Sequence, residues 1–300
     1  MSVLVVGSVA LDSVETPFGK VKDALGGSAT YFSAAASYFT DVNVVAVVGD
    51  DFPHKDIEFL KKRNVNFDGL IEKAGKTFRW GGKYLFDLNQ RETLFTELNV
   101  FENFDPELPD GYKETPYLFL ANIHPELQLK VLHQMKQPQL VVMDTMNFWI
   151  EGTPKPLREV LKHVDILIIN DSEVRELSEE TNLFIGVKKI QEMGPKTLVI
   201  KKGEHGAMMV DKGTYFFAPA FPLKNLQDPT GAGDTFAGGF VGYLAKTDYL
   251  CQKNLRRAII YGSTLASFCC EKFSLNRLKE ISKADIDKRY KQFLEMMKVG

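Results

Sequence analysis

The stretch Asp228-Pro229-Thr230-Gly231-Ala232-Gly233-Asp234-Thr235-Phe236 holds the residue types and spacing most able to do chemistry. It is a glycine-rich turn that runs straight into an amphipathic helix, predicted over 233–245. Glycines let the backbone turn sharply and come close to a ligand. The first amides of such a helix have no internal acceptor and sit at the positive end of its dipole, which suits a phosphate. A carboxylate beside an anion site repels the anion, so Asp234 needs a task, and accepting the proton of a departing hydroxyl is one. The plain alternative is an Asp that stabilises a helix N-terminus. The turn begins like a dinucleotide fingerprint, but Phe236 stands at the third glycine and no βαβ unit follows, which argues against a dehydrogenase. The chain has no G-x-x-x-x-G-K-[ST] and no G-x-S-x-G, so a P-loop is excluded and an α/β-hydrolase disfavoured.

Other candidates follow predicted strands, and ligands of open α/β sheets bind beyond the carboxyl ends of strands. Asp12 comes after the first strand and could accept from two neighbouring hydroxyls of a polyol, while Gly26-Gly27-Ser28 opens a small-residue helix. An Asp turn and a plain helix start are the alternative. Asn170-Asp171-Ser172-Glu173 follows the run 166–169. Asn170 and Glu173 could face the crevice and hold a hydrated Mg²⁺, which keeps waters and takes few protein carboxylates. Alternatively Asp171 or Ser172 caps the next helix. Asp144 and Asn147 are placed similarly, and Lys202-Gly203-Glu204-His205-Gly206 follows the run 198–200. The five histidines lack metal-ligand spacing, and only His124 is expected near the crevice.

The elements that must position these residues are legible as periodicity. Unbroken Val/Ile/Leu runs at 3–6, 44–48, 118–120, 140–143, 166–169 and 198–200 read as strands buried on both faces. Helices are expected between them at 29–39, 55–63, 125–135, 156–162, 172–178 and 184–192. This alternation predicts a doubly wound, mainly parallel α/β fold. Two segments break it, about 13–24 and 76–100, and read as a small antiparallel insertion with Gly81-Gly82 and 87–90 as turns. A hairpin is expected around Asp211-Lys212-Gly213, and helices at 233–245, 255–268 and 283–297.

Composition narrows the function classes. At 300 residues the chain is long enough for one large domain, and 44% apolar with 25% charged residues is globular composition. Lys and Arg number 37 against 39 Asp and Glu, so no basic excess points to nucleic acid. No apolar run approaches a membrane span, and the N-terminus reads as a first strand rather than a signal peptide. Cys251, Cys269 and Cys270 cannot form a disulfide framework, and a reducing cytoplasm is the expected setting.

Taken in order, the acidic residue after the first strand, the Gly-Gly helix start, N-x-x-E, G-x-x-G and D-x-T-G-A-G-D resemble the ribokinase-like carbohydrate kinases, the PfkB family. The resemblance runs from Gly7 to Phe240. It implies one ribokinase-like kinase domain over 1–300, with the insertion as a β lid that closes over substrate and in some members pairs two subunits. It implies a sugar or nucleoside as phosphate acceptor, ATP as donor and Mg²⁺ as cofactor. Asp234 matches the family's catalytic base, and the backbone of Gly231, Ala232 and Gly233 its anion hole. Asp12, Gly26 and Gly27 match sugar-contacting positions, and Asn170 and Glu173 the N-x-x-E that acts on metal and phosphates, Glu173 reaching Mg²⁺ through water. Lys202, Gly203 and Gly206 match a nucleotide-lining segment, and Asp228 and Thr230 a monovalent-cation position, often potassium. Tyr31 stands where many sugar-kinase members carry Asn, which weighs against a ribose- or fructose-type acceptor and suits stacking on a ring or base. An Asp of ordinary pKa, about 3.9, would accept the acceptor's proton late. The competing reading is a non-catalytic sugar or nucleotide sensor, whose mark would be loss of Asp234 or the glycines.

Overall fold

The first predicted strand, β1 (Val3–Val6), is flanked by two partners that lie far apart in sequence, and this sets the topology. The computed structural model describes residues 1–298. The strands, in chain order, are β1, β2 (Ala10–Thr16), β3 (Gly19–Gly26), β4 (Val42–Gly49), β5 (Val65–Lys73), β6 (Arg79–Tyr84), β7 (Arg91–Glu97), β8 (Tyr117–Leu120), β9 (Leu140–Asp144), β10 (Ile166–Asn170), β11 (Thr197–Lys201), β12 (Ala207–Asp211) and β13 (Thr214–Ala218). Nine form one sheet in the order β13-β12-β11-β10-β9-β8-β1-β4-β5. Neighbours are parallel from β11 to β5, and β12 and β13 add an antiparallel edge. The chain thus winds outward from β1 in both directions. In such sheets the crevice at the strands' carboxyl ends is where ligands bind.

Side-chain alternation explains why the predicted runs are unbroken. Val3, Val5, Phe119, Val142, Ile168 and Val199 belong to one buried cluster, and Leu4, Val6, Leu118, Met143, Ile169 and Ile200 to another on the opposite face. Each face must be covered, so each is apolar. The helices are α1 (Ser28–Ala36), α2 (Glu58–Lys61), α3 (Pro125–Gln134), α4 (Asn147–Gly152), α5 (Pro154–Leu161), α6 (Asp171–Ser178), α7 (Leu183–Glu192), α8 (Ala232–Thr247), α9 (Gln252–Cys269), α10 (Asn276–Glu280) and α11 (Lys283–Met296). The first cluster lies under α1, α8 and α9, and the second under α5, α6 and α7. Among the described residues, no helix is long and apolar enough to cross a membrane.

The insertion is a separate four-stranded sheet in the order β3-β2-β6-β7, and it corrects the expectation in two ways. It is mixed, not antiparallel, because β2 and β6 run parallel in its centre. Gly81 and Gly82 form no turn; they lie inside β6. A Cβ on Gly81 would sit 2.3 Å from the Phe95 ring, and one on Gly82 2.1 Å from the Trp80 indole. The glycines therefore make room for aromatic rings laid across the strands. β2 also starts earlier than expected, at Ala10, so Asp12 belongs to this second sheet and does not cap a main-sheet strand.

Candidate active site

Three adjacent parallel strands end in polar residues. In register, Asp144 of β9 lies opposite Ile168 of β10, and Asn170 of β10 opposite Lys201 of β11. The Lys201 ammonium reaches both carboxylate oxygens of Asp144, at 3.2 and 3.3 Å. Strand alternation decides which lysine enters the cleft. Val199 and Lys201 share the face that α8 covers, whereas Lys202 lies beyond the strand, its amide donating to the Gly206 carbonyl. The lysine that meets Asp144 is thus Lys201, one residue before the Lys202 that the sequence points to.

Asn170 and Glu173 cap α6 through a reciprocal pair. The Glu173 amide donates to Asn170 Oδ1 at 2.8 Å, and the Asn170 amide to Glu173 Oε2 at 2.7 Å. The cap is thus Asn170, and Asp171 and Ser172 lie inside the first turn of α6. The capping box fixes the Glu173 side chain while leaving its second oxygen outside that pair.

Opposite this edge stands the N-terminus of α8. Gly231 is left-handed, with φ 73°, and a Cβ there would fall 2.3 Å from the Tyr31 ring. Ala232 donates to the Pro229 carbonyl and Thr235 to the Gly231 carbonyl. Among the described residues the amides of Gly231 and Gly233 have no intramolecular acceptor. The anion-binding capacity therefore rests on Gly231 and Gly233 more than on Ala232. A Cβ on Gly233 would lie 3.2 Å from Lys201 Nζ, so the ammonium flanks the same amides.

Tyr31 departs from its expected role. It is 2% exposed and its ring is packed against Gly231, so it has no free face for a substrate. It seats the turn instead. Asp12, 6% exposed, points at Gly26, where a Cβ would lie 1.9 Å from its carboxylate. The Ser8 and Ser28 hydroxyls accept each other's amides at 3.0 and 3.1 Å and clamp the base of this hairpin. Gly26→Ala is therefore expected to displace the Asp12 carboxylate and to lower stability by about 1–3 kcal/mol, which denaturant unfolding of the variant checks.

The acids share an electrostatic problem. Burial pushes Asp234 up to about 7, Asp144 adds to the push, and Lys201, its own amide and Arg91 oppose it. Asp12 also rises to about 7, through burial first, against the pull of the Gly27 amide. Glu173 rises to about 7 for the same first reason, with Lys201 opposing. Burial alone would lower Lys201, but Asp144, Glu173 and Asp234 together hold it above its ordinary value. Asp234 is thus a far better proton acceptor than the ordinary Asp expected from sequence.

The second sheet reaches over this cleft. Tyr84 Oη lies 3.2 Å from Thr230 Oγ1, and a Cβ on Gly203 would sit 2.5 Å from Asn89 Oδ1 in the β6–β7 turn. Gly203 and Gly206 both have positive φ, 54° and 91°. Asp228 is fully buried and works on the backbone: its oxygens accept from the Thr230 amide at 2.9 Å and the Ser274 amide at 3.3 Å. His124 caps α3, its Nδ1 accepting from the Glu126 amide, and Asn147 starts α4.

The chain matches the pfkB family carbohydrate kinases over residues 2–281. It is 34% identical over 244 residues to the 2-dehydro-3-deoxygluconokinase of Thermoproteus tenax, covering 76% of this chain and 75% of that one. It is 28% identical over 250 residues to the cytidine kinase of Thermococcus kodakarensis, covering 81% and 88%. The solved nucleoside kinase of Methanocaldococcus jannaschii superposes with a TM-score of 0.78 at 21% identity, over 97% of this chain and 98% of that one. With a buried carboxylate at the mouth of free helix amides and a family match across nearly its whole length, the chain belongs to the pfkB family of carbohydrate kinases.

Proposed function

We propose that residues 1–300 act as one kinase domain that moves the terminal phosphoryl group of ATP to a hydroxymethyl group of a sugar or sugar-containing small molecule, a nucleoside among them. The observation that carries this is the meeting of Asp234, the free Gly231 and Gly233 amides and the Lys201 ammonium at one cleft floor.

Phosphoryl transfer needs mainly positioning and charge stabilisation. Asp12 orients the acceptor through its hydroxyls. Asp234 hydrogen-bonds the attacking hydroxyl and takes its proton as the oxygen bonds to the γ-phosphorus and the bond to the bridging oxygen breaks, ADP leaving with that electron pair. The Gly231 and Gly233 amides and Lys201 hold the charge that develops on the transferring group. Gly203 and Gly206 let the nucleotide lie close to the backbone. The second sheet acts as a lid that excludes water.

Among the described residues, no group of three or more His, Cys, Asp and Glu could hold a metal ion by itself. Mg²⁺ carried in with the phosphates keeps most of its waters and takes few protein carboxylates. Glu173 and Asp144 would hold those waters, and the buried Thr145 hydroxyl, without a hydrogen-bond partner, is free to join them. When bound, the ion supplies charge neutralisation to the phosphates. A monovalent cation such as K⁺ at Asp228 and Thr230 would use the carboxylate's remaining lone pairs. Pairing of two copies through the free edge of β7, where Leu94 and Phe95 are exposed, is the proposed homodimer. The free thiols of Cys251, Cys269 and Cys270 suit the cytoplasm.

The deciding experiment is ADP release from ATP and Mg²⁺, with and without K⁺, across sugars and nucleosides. An acceptor-dependent signal is expected. Silence with every acceptor, while ATP still binds, would transfer the assignment to a sensor. With an active acceptor in hand, kcat/KM is expected to fall about tenfold per pH unit below about 7, because the protonated Asp234 carboxyl cannot accept. A profile flat from pH 5 to 8 would remove Asp234 from the role of base.

A further inference from the structure

The face of the second sheet turned to the cleft carries Asp12, Trp80, Tyr84 and Arg91. The register makes this so: Asp12 pairs with Trp80, Tyr84 pairs with Arg91, and Trp80, Gly82 and Tyr84 alternate onto one face. Tyr84 fixes that face by touching Thr230. The other cations on the sheet's central strands are already matched. Arg79 pairs with Asp51 at 2.7 Å and Asp23 at 3.5 Å, and Lys83 with Glu15 at 3.0 Å. Arg91 has no ion-pair partner among the described residues. Its guanidinium instead lies 5.0 Å over the Trp80 ring, and that indole is itself laid across the bare Gly82. One of the Arg91 donors engages the Tyr84 hydroxyl; stacked on an aromatic face, the fork keeps its other edge donors free and loses little freedom when they bond. Paired with Tyr84 on the face that touches Thr230, Arg91 stands on the cleft side of the sheet.

We propose that Arg91, held flat on Trp80, is a receptor for an anionic oxygen group, phosphate or carboxylate, on a substrate bound under the second sheet. This rests on the kinase reading of the cleft. Two sources supply such a group: the phosphoryl group in transfer, or an acidic substituent of the acceptor. Arg suits either through its fork of donors, which Lys lacks.

The chain has two tryptophans, Trp80 and Trp149, so Trp149→Phe leaves Trp80 as the only indole reporter. In that background, inorganic phosphate is titrated while Trp80 emission is followed, with Arg91, Arg91→Met and Arg91→Lys compared. Circular dichroism melts confirm that all three fold alike. Phosphate is expected to change the emission with Arg91, to bind about tenfold or more weakly with Met, and to give an intermediate result with Lys. Kinetics then distinguish the sources. If the group is the transferring phosphoryl, Arg91→Met lowers kcat about tenfold or more with cytidine and with ribose 1-phosphate alike. If it belongs to the acceptor, KM rises for ribose 1-phosphate and stays unchanged for cytidine. Equal phosphate titrations for Arg91 and Arg91→Met overturn the proposal. That failure is separable from failure of the kinase reading, because the fluorescence titration needs no turnover, and an ADP-release signal surviving in Arg91→Met would leave the kinase reading intact.

Discussion

Asp234→Asn is expected to lower phosphoryl transfer by about 10³-fold while nucleotide affinity stays within about twofold. The amide keeps the shape of the carboxylate and loses its ability to take a proton. Because the helix amides and Lys201 remain, the phosphate site survives. The same substitution should stabilise the fold at alkaline pH, and the sign follows from the shifted pKa. Folded Asp234 holds its proton up to about 7, whereas an Asp in the unfolded chain releases it near 3.8. The folded state thus binds more protons between those values, and its stability falls as pH rises through that window. Asn removes the penalty, so its melting temperature should exceed the parent's at pH 8 and match it at pH 4. Full transfer activity in the variant would sink the base assignment. Loss of nucleotide binding along with transfer would assign Asp234 to the phosphate site instead.

Lys201→Met should be the second most damaging change, lowering kcat/KM by about 10²-fold. Met preserves the length and apolar stem of the side chain. It leaves Asp144, Glu173 and Asp234 facing each other without their common cation. Stripping one partner from a buried pair costs about 3 kcal/mol in the fold as well. A conformational defect and a catalytic one are separated by the pH profile. Lys201 holds Asp234 down, so its loss should move the acid limb of kcat/KM above about 7. Lys201→Arg should recover part of the rate with the limb restored. A Met variant with lowered stability, parental kcat/KM and an unmoved limb would make Lys201 a purely structural ion-pair partner of Asp144.

Both residues were unequally visible from sequence, and the contrast explains what a sequence can carry. Asp234 is legible because its neighbours in space are its neighbours in chain: a glycine turn, two free amides and the first turn of α8. The parallel strands are legible because both faces are covered, so every position is apolar. β5 escaped notice because it is an edge strand whose register shifts against β4 and whose residues are only partly buried. α4 and α10 escaped because five or six residues make no periodic pattern.

The cleft's remaining chemistry depends on distances between elements far apart in sequence. Lys201 and Lys202 are equivalent as letters; the parity of β11 and the place where it ends choose between them. Arg91 becomes relevant only because β7 pairs with β6 in a register that sets it beside Tyr84 and over Trp80. Tyr31 looked available as an aromatic, but α1 carries it beneath Gly231, where no ligand can reach its ring. Local periodicity and short-range backbone geometry are enough to read the winding of the main sheet, the glycine turn before α8 and the acid beside it from the residues alone. Tertiary structure alone decided which cations meet those acids and how far their pKa values rise, since burial and through-space charge depend on what the fold brings together.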